Sequence, residues 1–505
     1  MANAQLVLMR DEIERRVEAE LAQIIPPGRK DDTLIITPEE IRRALEDNEV
    51  GDARLLVKLL RNQYCFDHAE QAWYRWQGHF WVPDRLNAVL SAVDDVVAVY
   101  EREAQNNKRL GGHDSNIQSP FARRIRDLQS LHRRLHVLQF AASGDNSLGI
   151  TGEEWDKNPY LLACANGVID LRTPYLRLGR PEDFIKMACP TTWVDLGQSA
   201  PTWEKFTREI FQRDWGIIQF VQSLFGYSII GKVIDHIFVV LYGIGRNGKG
   251  TLLETVNRVL GPLAEPIPPE MLLEQRGKRS SASPSPDIMA LRGRRIVWGS
   301  ETDEGDSLDI SKVKWLVGGD TLTGRSPYGK RLISFSPSHK LFLQTNHKPR
   351  VKTDDYAFWQ RAFLLPFNLS FVDNPCRPNE RRRDPELPEK LREESSGILA
   401  WLVRGFLKYR RVGLNPPQIV MAATEDYRMA EDLLGQFISD RCVCHDTARI
   451  RAGDIYEAYL EWAKENGLRP VSSQTFSKYL LSHGFTRDVA GRRHREYVGI
   501  ELRRM

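Results

Sequence analysis

The stretch HIFVVLYGIGRNGKGTLLETVNRVLG, His236 to Gly261, constrains the fold of this chain more than any other. An apolar run of strand type, Ile237 to Leu241, enters a glycine-rich turn, and a helical pattern opens at Lys249. Glycines permit the tight backbone path that aims successive N–H groups at one point, and the start of a helix adds partial positive charge there. A turn of this kind suits phosphate. Gly243, Gly248 and Lys249 fit the spacing G-x-x-x-x-G-K, with Gly245 and Asn247 inside the loop. The position after the lysine ordinarily carries Ser or Thr, whose hydroxyl holds Mg2+. Here it is Gly250, with Thr251 one place later. Either Thr251 substitutes through a shifted helix start, or acidic residues hold the metal through water.

Two further apolar runs carry polar ends. LRGRRIVWGSETDEG predicts a strand over Ile296–Trp298 that ends in acids. A carboxylate beside a terminal phosphate organises Mg2+ and polarises the attacking water, so Glu301 is the first candidate. Asp303, Glu304 and Asp306 read rather as a solvated acidic loop. KLFLQTNHKP predicts a third strand ending in Asn346, a neutral amide suited to orienting water or sensing a phosphate. Strand-like runs alternating with helices and loops from Val233 to Phe367 indicate an α/β nucleoside-triphosphatase core.

In order along the chain, NPYLLACANGVIDLRT, FVQSLFGYSIIG, GIGRNGKGT, WGSETDEG, VKWLVGGDTLTGRSPYGK, LQTNHKP and FWQRAFLLPF resemble the motifs of superfamily three helicases. The resemblance is to the C-terminal helicase region of phage and plasmid primase–helicases, and it runs from about Trp155 to Phe367. It implies an AAA+-like P-loop core, ATP and Mg2+ as cofactors, and a homo-hexameric ring with ATP bound between subunits. Lys249, Glu301, Asn346 and Arg361 are then the catalytic set, with Thr251 and Glu301 toward the metal. Gly243, Gly245, Asn247, Gly248, Lys249, Gly250 and Thr251 would surround the nucleotide. Arg361 would be the finger that reaches a neighbour's γ-phosphate. Gln360 stands where the family often has a second arginine.

The resemblance also places a DNA-gripping hairpin at TLTGRSPYGKRLISFSP, where Tyr328, Lys330 and Arg331 would meet bases and phosphates. Lys314, Asp320 and Arg325 match the preceding segment; Lys314 and Asp320 suit coupling or hairpin support, and Lys314 and Arg325 are further candidate DNA contacts. Near the end of the chain, three helical patterns and two strands predict a winged helix. Ser473 is the expected cap of a recognition helix bearing Gln474, Ser477 and Lys478, and Arg492, Arg493 and Arg495 lie on the expected wing. CVCH, with Cys442, Cys444 and His445, is spaced too tightly for a usual zinc pair, and no metal is expected there.

The remaining organisation is coarser. Residues 1–145 read as a mostly helical region with a short aromatic hairpin at AWYRWQGHFWVPD, whose tryptophans suit core packing or base stacking. Thr37, Pro38 and Glu40 form a helix-start pattern, and residues 1–25 read as a helix. Residues 146–205 precede the helicase core at 206–370, a helical connector spans 371–428, and the winged helix occupies 429–505. No convincing pair of metal-binding carboxylates on strands stands in the first 150 residues, so no primase activity is expected and a separate primase is a candidate partner. A net charge of only +4 means that nucleic-acid binding must come from local basic patches. Six cysteines in 505 residues, and no long apolar run, favour a soluble, cytoplasmic protein with no membrane association, and the resemblance to phage and plasmid proteins implies a bacterial host cell. The expected partners are single-stranded and forked DNA. The rival readings are an initiator that uses ATP as an assembly switch and a catalytically silent ring, the latter suggested by Gly250.

Overall fold

The structure is a computed structural model that describes residues 36–109, 120–275, 284–300, 305–325, 327, 331–351, 355–468, 470–490 and 494–503. The expected helix over residues 1–25 lies outside the described residues. The chain divides into two compact units, one covering residues 1–154 apart from 78–80, the other covering the rest.

In the first unit, helices α1 (Pro38–Glu46) and α2 (Asn48–Leu60) precede strands β1 (Tyr64–Asp67), β2 (Ala72–Trp76) and β3 (Trp81–Pro83). Helices α3 (Asp94–Arg109), α4 (Pro120–Asp127) and α5 (Leu131–Ala141) follow, and β4 (Gly149–Ile150) returns to the sheet, whose order is β3-β2-β1-β4. Helix α1 opens on the expected capping box: Thr37 accepts from the Glu40 amide and Glu40 accepts from the Thr37 amide. The aromatic hairpin forms, with Trp76 opposite Trp81. Its companion β1 was not expected, because YCFD is too short for a period to show. The unit is pinned by Asp52, which is fully buried. One carboxylate oxygen accepts from Tyr100 Oη and Arg124 Nη1, each at 2.7 Å; the other accepts from Arg133 Nη2 at 2.8 Å. A carboxylate out of water needs this many donors.

The second unit begins with a small antiparallel sheet of β5 (Leu161–Cys164), β6 (Gly167–Asp170) and β7 (Leu176–Arg177). Helices α6 (Pro201–Ile210) and α7 (Trp215–Ser228) lead into β8 (Phe238–Tyr242) and α8 (Lys249–Leu260). Strands β9 (Ala264–Ile267), β10 (Ile296–Ser300), β13 (Lys340–Thr345) and β14 (Ala362–Pro366) join β8 in a five-stranded sheet, order β14-β8-β13-β10-β9, with every pairing parallel. Burial on both faces explains the unbroken apolar runs. Val239 and Leu241 face a core with Phe225, Phe342 and Trp298, while Phe238 and Val240 face another with Leu341, Leu316 and Phe358. Between β10 and β13 lie helix α9 (Ile310–Val317) and the antiparallel pair β11 (Leu322–Gly324) and β12 (Ile333–Phe335).

Past the sheet, β15 (Ser370–Val372) and β16 (Glu380–Arg382) form a two-stranded ribbon, so the connector expected to be helical over 371–428 opens with strands before its helices begin. Helices α10 (Leu387–Glu393), α11 (Ser395–Val412) and α12 (Gln418–Glu431) follow. The final module is α13 (Leu433–Arg441), β17 (Cys442–Arg451), α14 (Ala452–Glu465), α15 (Ser473–Ser482), β18 (Thr486–Ala490) and β19 (His494–Leu502), with sheet order β17-β19-β18. Strand β17 went unread because CVCHDTARIR is largely polar. It pairs with β19 alone, so it is an edge strand. Helix α15 is capped by Ser472, which accepts from the Thr475 amide; Ser473 is its first turn and not its cap. Among the described residues no helix is long and apolar enough to cross a membrane.

Candidate functional site

Strand register brings the loop after β8 beside the end of β13. Tyr242 lies opposite Thr345, so Gly243 and Asn346 leave adjacent strands side by side at the C-terminal edge of the sheet. Sequence order alone had not made these two neighbours.

The turn needs its glycines. Gly248 has φ +88°, and a Cβ on it would also lie 2.7 Å from Ile210 Cγ2. A Cβ on Gly243 would fall 2.3 Å from both Asn247 Nδ2 and the Phe367 carbonyl oxygen. Asn247 is buried, and its Nδ2 donates to that carbonyl at 3.4 Å, tying the loop to the end of β14. Helix α8 opens at Lys249, as the sequence predicts.

Lys249 is 3% exposed. Its Nζ donates to the Gly243 carbonyl and, at 3.0 Å, to Asn346 Oδ1, which also accepts from the Gly245 amide at 3.2 Å. Loop, lysine and asparagine thus form one hydrogen-bonded unit. Burial pulls the Lys249 ammonium down to about 8, because its two neutral acceptors do not replace the lost hydration. An anion arriving at the loop would supply the missing countercharge.

Beside the loop opens a cavity of about 530 Å³ that reaches Gly248, Thr251 and Arg246, with Phe206, Lys205 and Glu209 of α6 on one wall. Phe371 and Arg382 of the β15–β16 ribbon and Lys390 of α10 supply the opposite wall. The cations Lys205, Arg246, Arg382, Arg383 and Lys390 outnumber the acids Glu209, Asp373 and Asp384 in the lining. Sequence reading missed these walls, since they come from four separate stretches with no motif in common. Among the described residues no group of three or more carboxylate, imidazole or thiol side chains is arranged to hold a metal ion.

The other candidates are distributed as follows. Strand β10 ends at Ser300; Glu301, Asp303 and Glu304 lie outside the described residues. Arg361 stands before β14, at the N-terminal edge of the sheet, where its backbone carbonyl accepts from the Phe238 amide and its Nη1 donates to the Lys314 carbonyl at 3.2 Å. The intervening strand spans roughly 16 Å, so Arg361 is remote from its own chain's loop. Lys314 is ion-paired with Asp355, whose carboxylate is held below its usual range by that contact despite partial burial. Asp320 is exposed just after α9. Arg325 and Arg331 flank the tip between β11 and β12, while Tyr328 and Lys330 lie outside the described residues. In the last module Gln474 and Lys478 are exposed on α15 and Arg495 is exposed on β19; Arg492 and Arg493 are outside the described residues.

Comparison with known proteins adds relatives. Residues 53–212 match the family model described as D5 N terminal like, and residues 430–487 match Poxvirus D5 protein-like. These matches flank the stretch from the glycine-rich loop to Arg361, and the first reaches far upstream of the segment whose motifs resemble superfamily three. The chain is 28% identical over 459 residues to "Putative helicase L207/L206" of Acanthamoeba polyphaga mimivirus, covering 84% of this chain and 47% of that protein. It is 22% identical over 537 residues to "Putative helicase 022R" of Frog virus 3 (isolate Goorha), covering 83% and 55%. To "Putative primase C962R" of African swine fever virus (isolate Warthog/Namibia/Wart80/1980) it is 25% identical over 334 residues, covering 62% and 34%. The chain therefore spans about half or less of the length of these relatives. Among solved structures, the A form apo structure of the NrS-1 C terminal region aligns with a TM-score of 0.47 at 11% identity, covering 90% of this chain and 99% of that one.

Proposed function

We propose that this chain is an ATP-driven DNA helicase of the superfamily three type, acting as a ring on single-stranded DNA during replication of viral or mobile-element DNA. The observation that carries the reading is the unit of Lys249, Asn346 and the glycine-rich turn at the C-terminal edge of a parallel sheet, beside a cavity of about 530 Å³. In α/β sheets ligands bind at that edge. The loop amides and Lys249 would take the phosphates, and the cavity would take base and sugar, with Thr251 on its wall. Asn346, released from Lys249 by the incoming phosphate, would orient water.

Mg2+ fits the oxygen-rich chemistry of such a site; Glu301 would help hold it, and when bound it would neutralise charge developing on the β- and γ-oxygens. Arg361 sits at the far edge of its own sheet, which supports a role on the nucleotide of an adjacent subunit and so a ring, a hexamer by family pattern. DNA contacts would come from the β11–β12 tip (Arg325, Tyr328, Lys330, Arg331) and from a winged helix formed by the last module (Lys478, Arg492, Arg493, Arg495). The helicase and primase names of the viral relatives support a replication setting, while a phage or plasmid source rests on the motif pattern alone.

A second reading is a ring without turnover, either catalytically silent, as the missing hydroxyl at Gly250 suggests, or an initiator that uses ATP as an assembly switch. ATP hydrolysis with and without single-stranded DNA separates the two. The motor reading expects DNA-stimulated turnover that is lost in Lys249→Ala and in Arg361→Ala and partly restored when the two variants are mixed. Mixing restores it because a ring of both contains interfaces with one intact lysine and one intact arginine. No turnover with DNA binding intact would favour the second reading.

A further inference from the structure

The glycine at position 250 leaves open how the site holds its cation, and the surroundings of that glycine answer it. Apart from its chain neighbours and its own helix backbone, a Cβ on Gly250 would meet, among the described residues, Glu254 Oε1 at 3.8 Å and Gln344 Nε2 at 3.9 Å. Thr251, the other hydroxyl nearby, lines the cavity toward α6 and the ribbon instead. Successive helical residues point about 100° apart, so residues 250 and 251 serve different sides of the helix start. Residues four apart share a face, and side chains lean toward the helix N-terminus. A glutamate at 254 therefore reaches back over 250, and the missing side chain at 250 leaves its path clear. Glu254 is exposed and has no hydrogen-bond or ion-pair partner among the described residues, so nothing competes for its carboxylate.

We propose that Glu254 supplies the oxygen that a hydroxyl at position 250 would otherwise provide, holding the divalent cation that accompanies the nucleotide phosphates directly or through one water. This rests on the nucleotide-site reading above. Mg2+ takes one or two carboxylates and completes its shell with phosphates and water, so one well-placed glutamate is enough. Because phosphate oxygens complete that shell, cation binding will depend on nucleotide. The exchange of a neutral hydroxyl for a carboxylate also has a sign. The negative charge strengthens cation binding and opposes nucleotide phosphates when no cation is present.

The test uses the full chain with Mn2+ as probe, free Mn2+ being read by electron paramagnetic resonance in the presence of ADP. In parallel, binding of a fluorescent ADP analogue is measured in EDTA. Glu254→Gln is expected to weaken Mn2+ binding about 10- to 100-fold, and to leave analogue binding in EDTA equal to or tighter than wild type. Gly250→Ser added to Glu254→Gln is expected to recover most of the loss, since a Cβ at position 250 comes no closer than 3.8 Å to any described atom beyond its own helix and chain neighbours. Wild-type Mn2+ affinity in Glu254→Gln would overturn the proposal, as would a double variant as weak as the single one. Lys249→Ala marks the other failure: if it binds the analogue in EDTA as well as wild type, the loop is not the nucleotide site and the underlying reading falls first.

Discussion

The two edges of the parallel sheet each bury a lysine, and they treat it in opposite ways. At the N-terminal edge Lys340 is 2% exposed, and its Nζ donates to three carbonyls, those of Ile230 at 2.6 Å, Lys232 at 2.9 Å and Ser338 at 3.1 Å. The Tyr227 ring lies 4.7 Å from it. Nearby, the buried Arg295 donates to the carbonyls of Pro159 at 3.0 Å and Leu161 at 3.2 Å. All three ammonium protons of Lys340 are engaged, and their acceptors are fixed backbone at the end of α7 and the start of β13. At the C-terminal edge Lys249 has two acceptors: one carbonyl of a glycine turn and one side-chain amide on an exposed residue. A saturated lysine is structure. An under-coordinated one, beside an open cavity, has the place of a binding group under the proposed function.

The largest expected effect tests that contrast directly. Lys340→Ala strands two buried carbonyls and a partly buried one, and should destabilise the fold by about 3–5 kcal/mol in urea unfolding. Lys249→Ala should change stability by less than about 1 kcal/mol, since it has one acceptor fewer and one of its two, the Asn346 side chain, is exposed and can turn to water. Equal losses in the two variants would erase the distinction.

Tyr227 offers a smaller perturbation of the same structural edge. Its hydroxyl accepts from the amides of Ile234 and Asp235 and donates to the Asp235 carbonyl, each at 2.9 Å. Tyr227→Phe should cost about 1–2 kcal/mol of stability and leave nucleotide affinity unchanged. A change in affinity would mean that the two edges are coupled.

The smallest effect is one of pH, and it has opposite signs for folding and for binding. The folded-state value of Lys249 is lowered from 10.5 to about 8, so from about pH 8 to 10.5 the unfolded chain holds more protons at this group than the folded one. Its unfavourable contribution to stability is complete below pH 8 and is lifted as pH rises through that window. Phosphate needs the charged form. Nucleotide affinity should therefore hold steady up to about pH 8 and then fall by up to about tenfold per pH unit, a trend absent in Lys249→Ala. Titration of a fluorescent nucleotide analogue between about pH 7 and pH 9.5 reads this; a flat profile for the wild type would contradict it.

Much of the C-terminal edge was legible along the chain because its signals are local. An apolar run into glycines into a helix at Lys249, a strand ending at Asn346 and a strand pair around Gly324 and Ile333 each depend on residues a few positions apart. The helix start at Thr37 was readable for the same reason. Short or polar strands were not: YCFD, CVCHDTARIR and the ERR of β16 owe their conformation to neighbours already in place. The cap of α15 slipped by one residue, since Ser472 and Ser473 offer the same hydroxyl and only the folded backbone decides which of them stays extended ahead of the helix.

Composition and spacing along the chain were enough to set the glycine-rich turn, the long apolar strands of the parallel sheet and the helix that opens at Lys249, because torsional preference and hydrophobic period act over a few residues. They did not set which strands become neighbours. The insertion of β13 between β8 and β10 puts Asn346 on Lys249, leaves Arg361 at the opposite edge and collects the cavity from four separate segments. Nor did they show that Lys340 is spent on carbonyls while Lys249 is available. Those outcomes depend on burial against groups more than a hundred residues away, where packing and desolvation decide what a charge can do.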